Sequence, residues 1–365
     1  MKDIGSIFPL YSDQVSYPSS RLYENMDNRI VLFSLCREAI FSIADTHSSS
    51  NKTVLLPAYT CDTVITPFKE LGWSCVYYPI DRNLRIGIHE VRQLTEQYNP
   101  SLLLVHPFYG MDLNSDEEEL LLFVHRRSCK IIVDLTQCIF TTKRIDFVDF
   151  YVGSYRKWFP IPDGGFLEAK EFYDSNIGRM SENSDFVSLQ TDSMLLRGIY
   201  YDTGNELIKS ISRRINAKAA ELIDHSVKPH GISSLSYSIL ATEDKEENQK
   251  TRWANFQYLY EKLPQNEGFC FICRDLKCIS SAPLYFPVFV KERTRLQREL
   301  AVHKIYAPVL WPVVYEDVLI NDTIRFIYDH ILAIPIDQRY DSNDMNRIVS
   351  IVNRFYLSVS NSGQE

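Results

Sequence analysis

Between residues 53 and 134 the chain alternates short apolar runs with helical stretches, and this alternation limits the fold more than any other feature. Residues 53–56, 75–78, 102–106 and 131–133 are β-branched, leucine-rich or aromatic runs, too short for helices and bounded by polar turns. Helical patterns fill the gaps at about 61–71, 89–97 and 117–127, the first ended by Gly72. Parallel strands need such crossovers, and the crossover helices cover both faces of the sheet. The pattern therefore predicts an α/β protein with a doubly wound, mainly parallel sheet. Neither GxGxxG nor GxxxxGK occurs, so a dinucleotide or P-loop site has no sequence support.

The stretch KIIVDLTQCIFTTKRIDFVDFYVGSYRKWFPIPDGGF, residues 130–166, carries the chemistry. It reads as strand, turn, strand, turn, strand, with Asp134 just past one strand end and Ser154 and Lys157 just past another. Ligands bind at the carboxyl ends of strands in open α/β sheets, so this carboxylate and this amine can face one site. One lysine and one aspartate so placed suit pyridoxal 5'-phosphate. The amine forms a Schiff base with the aldehyde, and the carboxylate keeps the pyridine nitrogen protonated. Ser154 can offer its hydroxyl to the phosphate, and Asp163-Gly164-Gly165 supplies a tight turn. The same residues also read as a solvated lysine and a turn aspartate. Further back, Ser34 is a candidate N-cap for a helix opening at Cys36 and Arg37, whose N-terminus would suit a phosphate.

VDLTQ followed by GSYRKWFPIPDGGF resembles the DegT/StrS-type nucleotide-sugar aminotransferases, which are fold-type I pyridoxal phosphate enzymes. VLLPAYTCDTVITPFKELGWSCVYYPID, LLLVHPFYGMD, and ISSLSYSIL followed by RWANFQYLYEKL resemble further segments of that family, in the same order, over most of residues 30–263. The resemblance implies a Schiff base on Lys157, a pyridinium partner in Asp134, a phenolic-oxygen contact from Gln137 and a phosphate contact from Ser154. It places Cys36 and Arg37 where the family has the glycine and threonine of its phosphate loop. Cys61 falls where a flat side chain stacks on the cofactor ring, with Tyr59 as the alternative. Leu310 stands in a histidine position, and Pro229 where an asparagine reaches across a dimer to the phosphate; that contact is expected to be missing or to come from a basic residue such as Arg213 or Arg214. His106 reads as a satisfied histidine at a strand end. Arg339 is a candidate carboxylate anchor.

The composition narrows the partners. With 47 acidic and 39 basic residues the net charge is −8, which offers no general attraction to nucleic acid or an anionic membrane surface. No membrane span or signal peptide is legible, so a cytoplasmic protein is expected. The eight cysteines fit a reduced compartment. Cys270, Cys273 and Cys278 lack the further ligands of a metal site, and no metal is expected.

The remaining text predicts an N-terminal arm with turns at Pro18-Ser19-Ser20, a polar loop over residues 174–195, and a basic-faced helix with Lys209, Arg213, Arg214 and Lys218. One long helix is expected from Ser233 to Leu263, stopped by Pro264. The domain division expected is 1–250, a large cofactor-binding domain with the arm, and 251–365, a small α+β domain. The function expected is transfer of an amino group from an amino acid, glutamate foremost, to a nucleotide-linked keto sugar, by a homodimer. The alternatives are a small aldehyde or keto acid as acceptor, or a degenerate binding or regulatory relative. A dehydratase of the same group is disfavoured because Lys157 is present.

Overall fold

The computed structural model describes residues 2–15, 29–47, 51–171, 180–224, 227–273 and 275–362. Its elements are β1 (Ile30–Phe33), α1 (Cys36–Thr46), β2 (Thr53–Pro57), α2 (Asp62–Glu70), β3 (Ser74–Tyr78), α3 (Ile88–Tyr98), β4 (Leu102–Val105), α4 (Ser115–His125), β5 (Lys130–Asp134), β6 (Phe150–Ser154) and β7 (Gly165–Ala169). There follow α5 (Ser184–Thr203), α6 (Glu206–Asp224), α7 (Ser234–Thr242), α8 (Lys245–Lys262), β8 (Phe269–Phe271), β9 (Tyr285–Val290), α9 (Arg293–Val302), α10 (Asp322–His330), β10 (Ile331–Pro335) and α11 (Ser342–Ser362).

Seven strands form one sheet in the order β1-β7-β6-β5-β4-β2-β3. The run from β6 to β3 pairs in parallel, and only β7 is reversed against its neighbours. Every residue of β2 and β4 is buried, as expected of strands covered on both faces. Burying each leucine of β4 contributes about 1.5–3 kcal/mol. Local chemistry sets the helix ends. Asn114 and Glu117 exchange reciprocal 2.9 Å hydrogen bonds in a capping box at the start of α4. Asn99 (φ 44°) and Gly72 (φ 72°) close α3 and the turn after α2 in the left-handed region.

A second, antiparallel sheet has the order β10-β9-β8. Helix α8 packs on α11 and β9 and contributes Phe256 and Leu259 to a single apolar core continuous across both sheets. The expected division between residues 250 and 251 falls inside this helix, so the passage between the sheets is helical. The arm is fastened by Asp3, which pairs with Lys209 at 2.8 Å and Arg197 at 3.4 Å, and by a bridge between Ile4 and Ile305.

Several expectations are corrected. The N-cap of α1 is Leu35, not Ser34; the Leu35 amide donates to Glu38 at 3.2 Å. The expected loop at 174–195 is helical from Ser184, because α5 pairs with α6 and Ser193 and Ser212 lock the pair by exchanging hydroxyl-to-carbonyl bonds. The helix expected from Ser233 to Leu263 is two, broken at Glu243, with Asp244 capping the second through Glu247 at 3.0 Å. Helix α10 was not foreseen. The turns at Pro18-Ser19-Ser20 lie outside the described residues.

Candidate active site

The carboxyl ends of β2, β4, β5 and β6 meet at one cavity of about 180 Å³, whose walls include Cys36, Arg37, Cys61, His106, Asp134, Gln137, Ser154, Arg156, Lys157 and Trp311. Seven of the eight predicted site residues are thus together; Tyr59 is the exception.

Asp134 ends β5 and is buried. Its Oδ1 accepts from the Thr136 amide at 2.8 Å, and its Oδ2 lies 3.5 Å from Nδ1 of His106. His106 follows β4, and its Nε2 is 2.7 Å from the Thr60 hydroxyl. Burial lowers the His106 pKa, although Asp134 pulls it up, which favours the neutral ring. A neutral ring with its proton on Nδ1 faces Asp134 and accepts from Thr60 on Nε2. His106 therefore positions the carboxylate.

Lys157 closes a single helical turn, Tyr155–Lys157, immediately after β6, and is exposed. The Tyr155 amide donates to the Gly164 carbonyl at 2.8 Å, and the Gly164 amide donates to Ser34 at 2.7 Å. Gly164 has φ 143°, a value that disfavours a side chain. At Gly165 a Cβ would fall against the backbone of Leu35 and Cys36, so this glycine lets the N-terminus of α1 lie on the turn that carries Lys157. Trp158, fully buried, fixes the turn from beneath by donating Nε1 to the Thr136 carbonyl at 2.8 Å.

Two arginines, one of them on this turn, line the cavity. Arg156 and Arg37 both line the cavity; burial, then the Arg37 charge, lower the Arg156 pKa, with Asp163 opposing. Like charges so close favour a bound anion. The buried Ser154 and the start of the 11-residue α1 line the same cavity beside them. Arg213 and Arg214 are exposed on α6 and do not line the cavity within one chain.

Gln137 accepts from the Tyr109 amide at 3.2 Å, while its buried Nε2 has no hydrogen-bond partner among the described residues. Burial raises the Cys36 and Cys61 thiols, so both stay protonated near neutral pH.

Tyr59 does not line the cavity: it is buried beneath Trp311, with ring centroids 4.8 Å apart. The aromatic surface at the cavity is Trp311, which sits at φ 59° and 5.7 Å from the His106 ring. Trp311 directly follows Leu310, the residue in the family's histidine position, and was not singled out in the sequence. Arg339 is already committed, with Nε and Nη2 on Asp337 at 2.7 and 2.8 Å and Nη1 and Nη2 on the Ile7 and Ser6 carbonyls. Cys270 and Cys273 each donate to a separate backbone carbonyl, Asn266 and Asp275.

No protein-family model matches the sequence, and a search of curated proteins finds no match. Solved structures do match the fold. The putative sugar aminotransferase Spr1654 from Streptococcus pneumoniae, in its PMP form, is 11% identical with a TM-score of 0.70, over 100% of both chains. Helicobacter pylori PseC, an aminotransferase of pseudoaminic acid biosynthesis, is 10% identical with a TM-score of 0.66, over 98% of this chain and 100% of that one. The aminotransferase TlmJ from Streptoalloteichus hindustanus is 14% identical with a TM-score of 0.65, over 91% and 87%. The chain therefore has the fold of these aminotransferases, with a large mainly parallel sheet and a smaller antiparallel one.

Proposed function

We propose that this chain is a pyridoxal 5'-phosphate-dependent aminotransferase that moves an amino group from an amino acid, glutamate foremost, to a nucleotide-linked keto sugar in polysaccharide or related glycoside biosynthesis. The observation that carries this reading is the meeting of Asp134, Gln137, Ser154, Arg156 and Lys157 around one cavity at the carboxyl edge of the sheet. The residues fit the cofactor: a buried carboxylate, an unpartnered buried amide N–H, a cationic cradle and one amine.

When bound, the cofactor supplies an electron-accepting ring that carries the amino group between two substrates. Asp134, held by His106 and Thr136, would pair with the protonated ring nitrogen. Gln137 would direct its free Nε2–H to a ring oxygen. Ser154, Arg156, Arg37 and the N-terminus of α1 would hold the phosphate, so the phosphate contact that the family draws from a partner subunit's asparagine would be replaced from the same chain. Lys157 would hold the cofactor and, once released, take a proton from the substrate carbon on Nζ and return it. Trp311 would cover the site and exclude water.

A second cavity of about 630 Å³ also has Arg156 and Lys157 in its wall, which supports a large acceptor reaching the same amine. The sugar aminotransferase neighbours support the acceptor class. Ile199, Leu207 and Leu222 leave apolar side chains exposed on α5 and α6, which supports a homodimer. Among the described residues no helix is long and apolar enough to cross a membrane; we place the protein in the cytoplasm. The presence of both Asp134 and Lys157 favours an enzyme over a degenerate binding relative.

The test is to load the protein with pyridoxal 5'-phosphate, convert it with glutamate, and then offer nucleotide-linked 4-keto and 3-keto hexoses beside small aldehydes and keto acids. Return of the cofactor spectrum with a keto sugar nucleotide supports the reading. Return only with a small aldehyde or keto acid rejects the acceptor and leaves the aminotransferase.

A further inference from the structure

Apart from the two cavities that Lys157 lines, a cavity of about 310 Å³ opens between α8 and the segment that leads into β9. Glu246, Gln249, Lys250 and Trp253 line it from one face of α8, and Ser280 and Ser281 from the opposite side. It shares no described wall residue with either of the other two.

Two features of this wall point to a ligand. Trp253 is the one tryptophan of four that is only partly buried; the other three are 9% exposed or less. Its ring stacks on Phe256, with centroids 5.7 Å apart and planes 5° from parallel, so the indole is held as a flat platform beside the cavity. Ser281 is 3% exposed, and its hydroxyl is buried with no hydrogen-bond partner among the described residues. A buried hydroxyl left unpaired is costly, and a ligand group that pairs with it removes the cost.

The other wall residues set the chemistry. Glu246 and Lys250 are the ionisable groups among the described wall residues, and their charges cancel; Lys250 also pairs with Glu247 at 3.4 Å. The wall thus offers no net charge to an anion or a cation. Gln249 can both donate and accept, and the Ser280 hydroxyl, which donates to the Gly110 carbonyl at 3.3 Å, keeps its oxygen able to accept. An apolar ligand would leave Ser281 unpaired, and a charged one would lose its hydration without a counter-charge. A sugar ring meets both conditions, because its C–H face can lie on an indole while its hydroxyls donate and accept around the edge.

We propose that this cavity binds a neutral sugar ring in its pyranose form, stacked on Trp253 and hydrogen-bonded to Ser281 and Gln249, at a site separate from the one at Lys157. The assignment goes beyond the aminotransferase reading and does not depend on it.

Saturation-transfer NMR on the purified full chain loaded with pyridoxal 5'-phosphate tests this, with the methyl glycosides of glucose, galactose and mannose beside cyclohexanol and glucuronate. At least one methyl glycoside is expected to bind saturably and to change the tryptophan emission. Trp253→Ala should weaken that binding by about tenfold or more, and Ser281→Ala by about tenfold. Ser281→Ala also separates a binding role from a structural one: it removes an unpaired hydroxyl, so the melting temperature should hold or rise while sugar binding falls. Circular dichroism checks that each variant is folded. No saturable binding of any of the three glycosides to wild type would overturn the proposal. So would cyclohexanol binding as tightly as the best glycoside, glucuronate binding more tightly, or unchanged sugar binding in either folded variant. An oligosaccharide of the preferred sugar identifies the source of the ring: tighter binding assigns the end of a glycan chain, equal binding a single sugar. Attachment of the cofactor to Lys157 should be unchanged in both variants, so failure of this inference leaves the aminotransferase reading standing.

Discussion

Nδ1 of His106 stands 3.5 Å from Oδ2 of Asp134, with both side chains buried at the carboxyl ends of the adjacent strands β4 and β5. The other carboxylate oxygen is held by the Thr136 amide, so Asp134 is fixed on two sides and presented to the cavity. A carboxylate so placed favours a cation opposite it.

Asp134→Asn keeps the shape and removes the charge. It is expected to bind pyridoxal 5'-phosphate and lose turnover by on the order of 10²–10⁴-fold, the range for a positioned proton-holding group. Steady-state rates of the loaded variant check this, and turnover equal to wild type would reject the role.

The Arg37 and Arg156 pair predicts a specific affinity pattern. Arg156→Gln should weaken pyridoxal 5'-phosphate by about tenfold or more and leave pyridoxal, which lacks the phosphate, nearly unaffected. Equilibrium titration with both compounds gives the ratio. An equal loss for both would place Arg156 outside the phosphate cradle.

Gly165→Ala tests how closely α1 approaches the Lys157 turn. The new methyl group would meet the backbone of Leu35 and Cys36, which cannot move as a side-chain tip can. Overpacking of this kind costs about 1–3 kcal/mol. Denaturant unfolding should show that loss together with weaker cofactor binding.

The pair His230 and Glu38, 3.2 Å apart, predicts a pH dependence of stability. The hydrogen bond that its ring N–H donates to Glu38 raises the His230 pKa above its ordinary value, so the folded state holds this proton more tightly than the unfolded chain. Burial raises Glu38 as well, against the pull of His230. The contribution is full below about pH 6.5 and is lost as pH rises through the folded value. Relative to His230→Gln, wild type should lose melting temperature between pH 6 and pH 8. A constant difference across that interval would contradict the linkage.

The parts of the fold legible in the sequence are those where burial is strongest. Strands β2, β4 and β5 read directly, because segments covered on both faces must be continuously apolar. Lys157 and Asp134 read because strand ends are marked by the change from apolar to polar. Helix α5 was hidden because SDFVSLQTDS is polar on the scale of a loop, and pairing with α6 decides its conformation. Trp311 was hidden for a different reason: it comes to the cavity from a segment distant in sequence from β5 and β6. The cap at Leu35 in place of Ser34 shows the limit of residue preference where Glu38 can satisfy the amide instead.

The central claim is that Lys157 carries the cofactor, and borohydride reduction of the pyridoxal 5'-phosphate-treated protein followed by peptide mass spectrometry tests it most directly. The account predicts one phosphopyridoxyl label per chain, on the peptide containing Lys157, absent from Lys157→Ala. No label, or a label on another lysine that persists in Lys157→Ala, would contradict it.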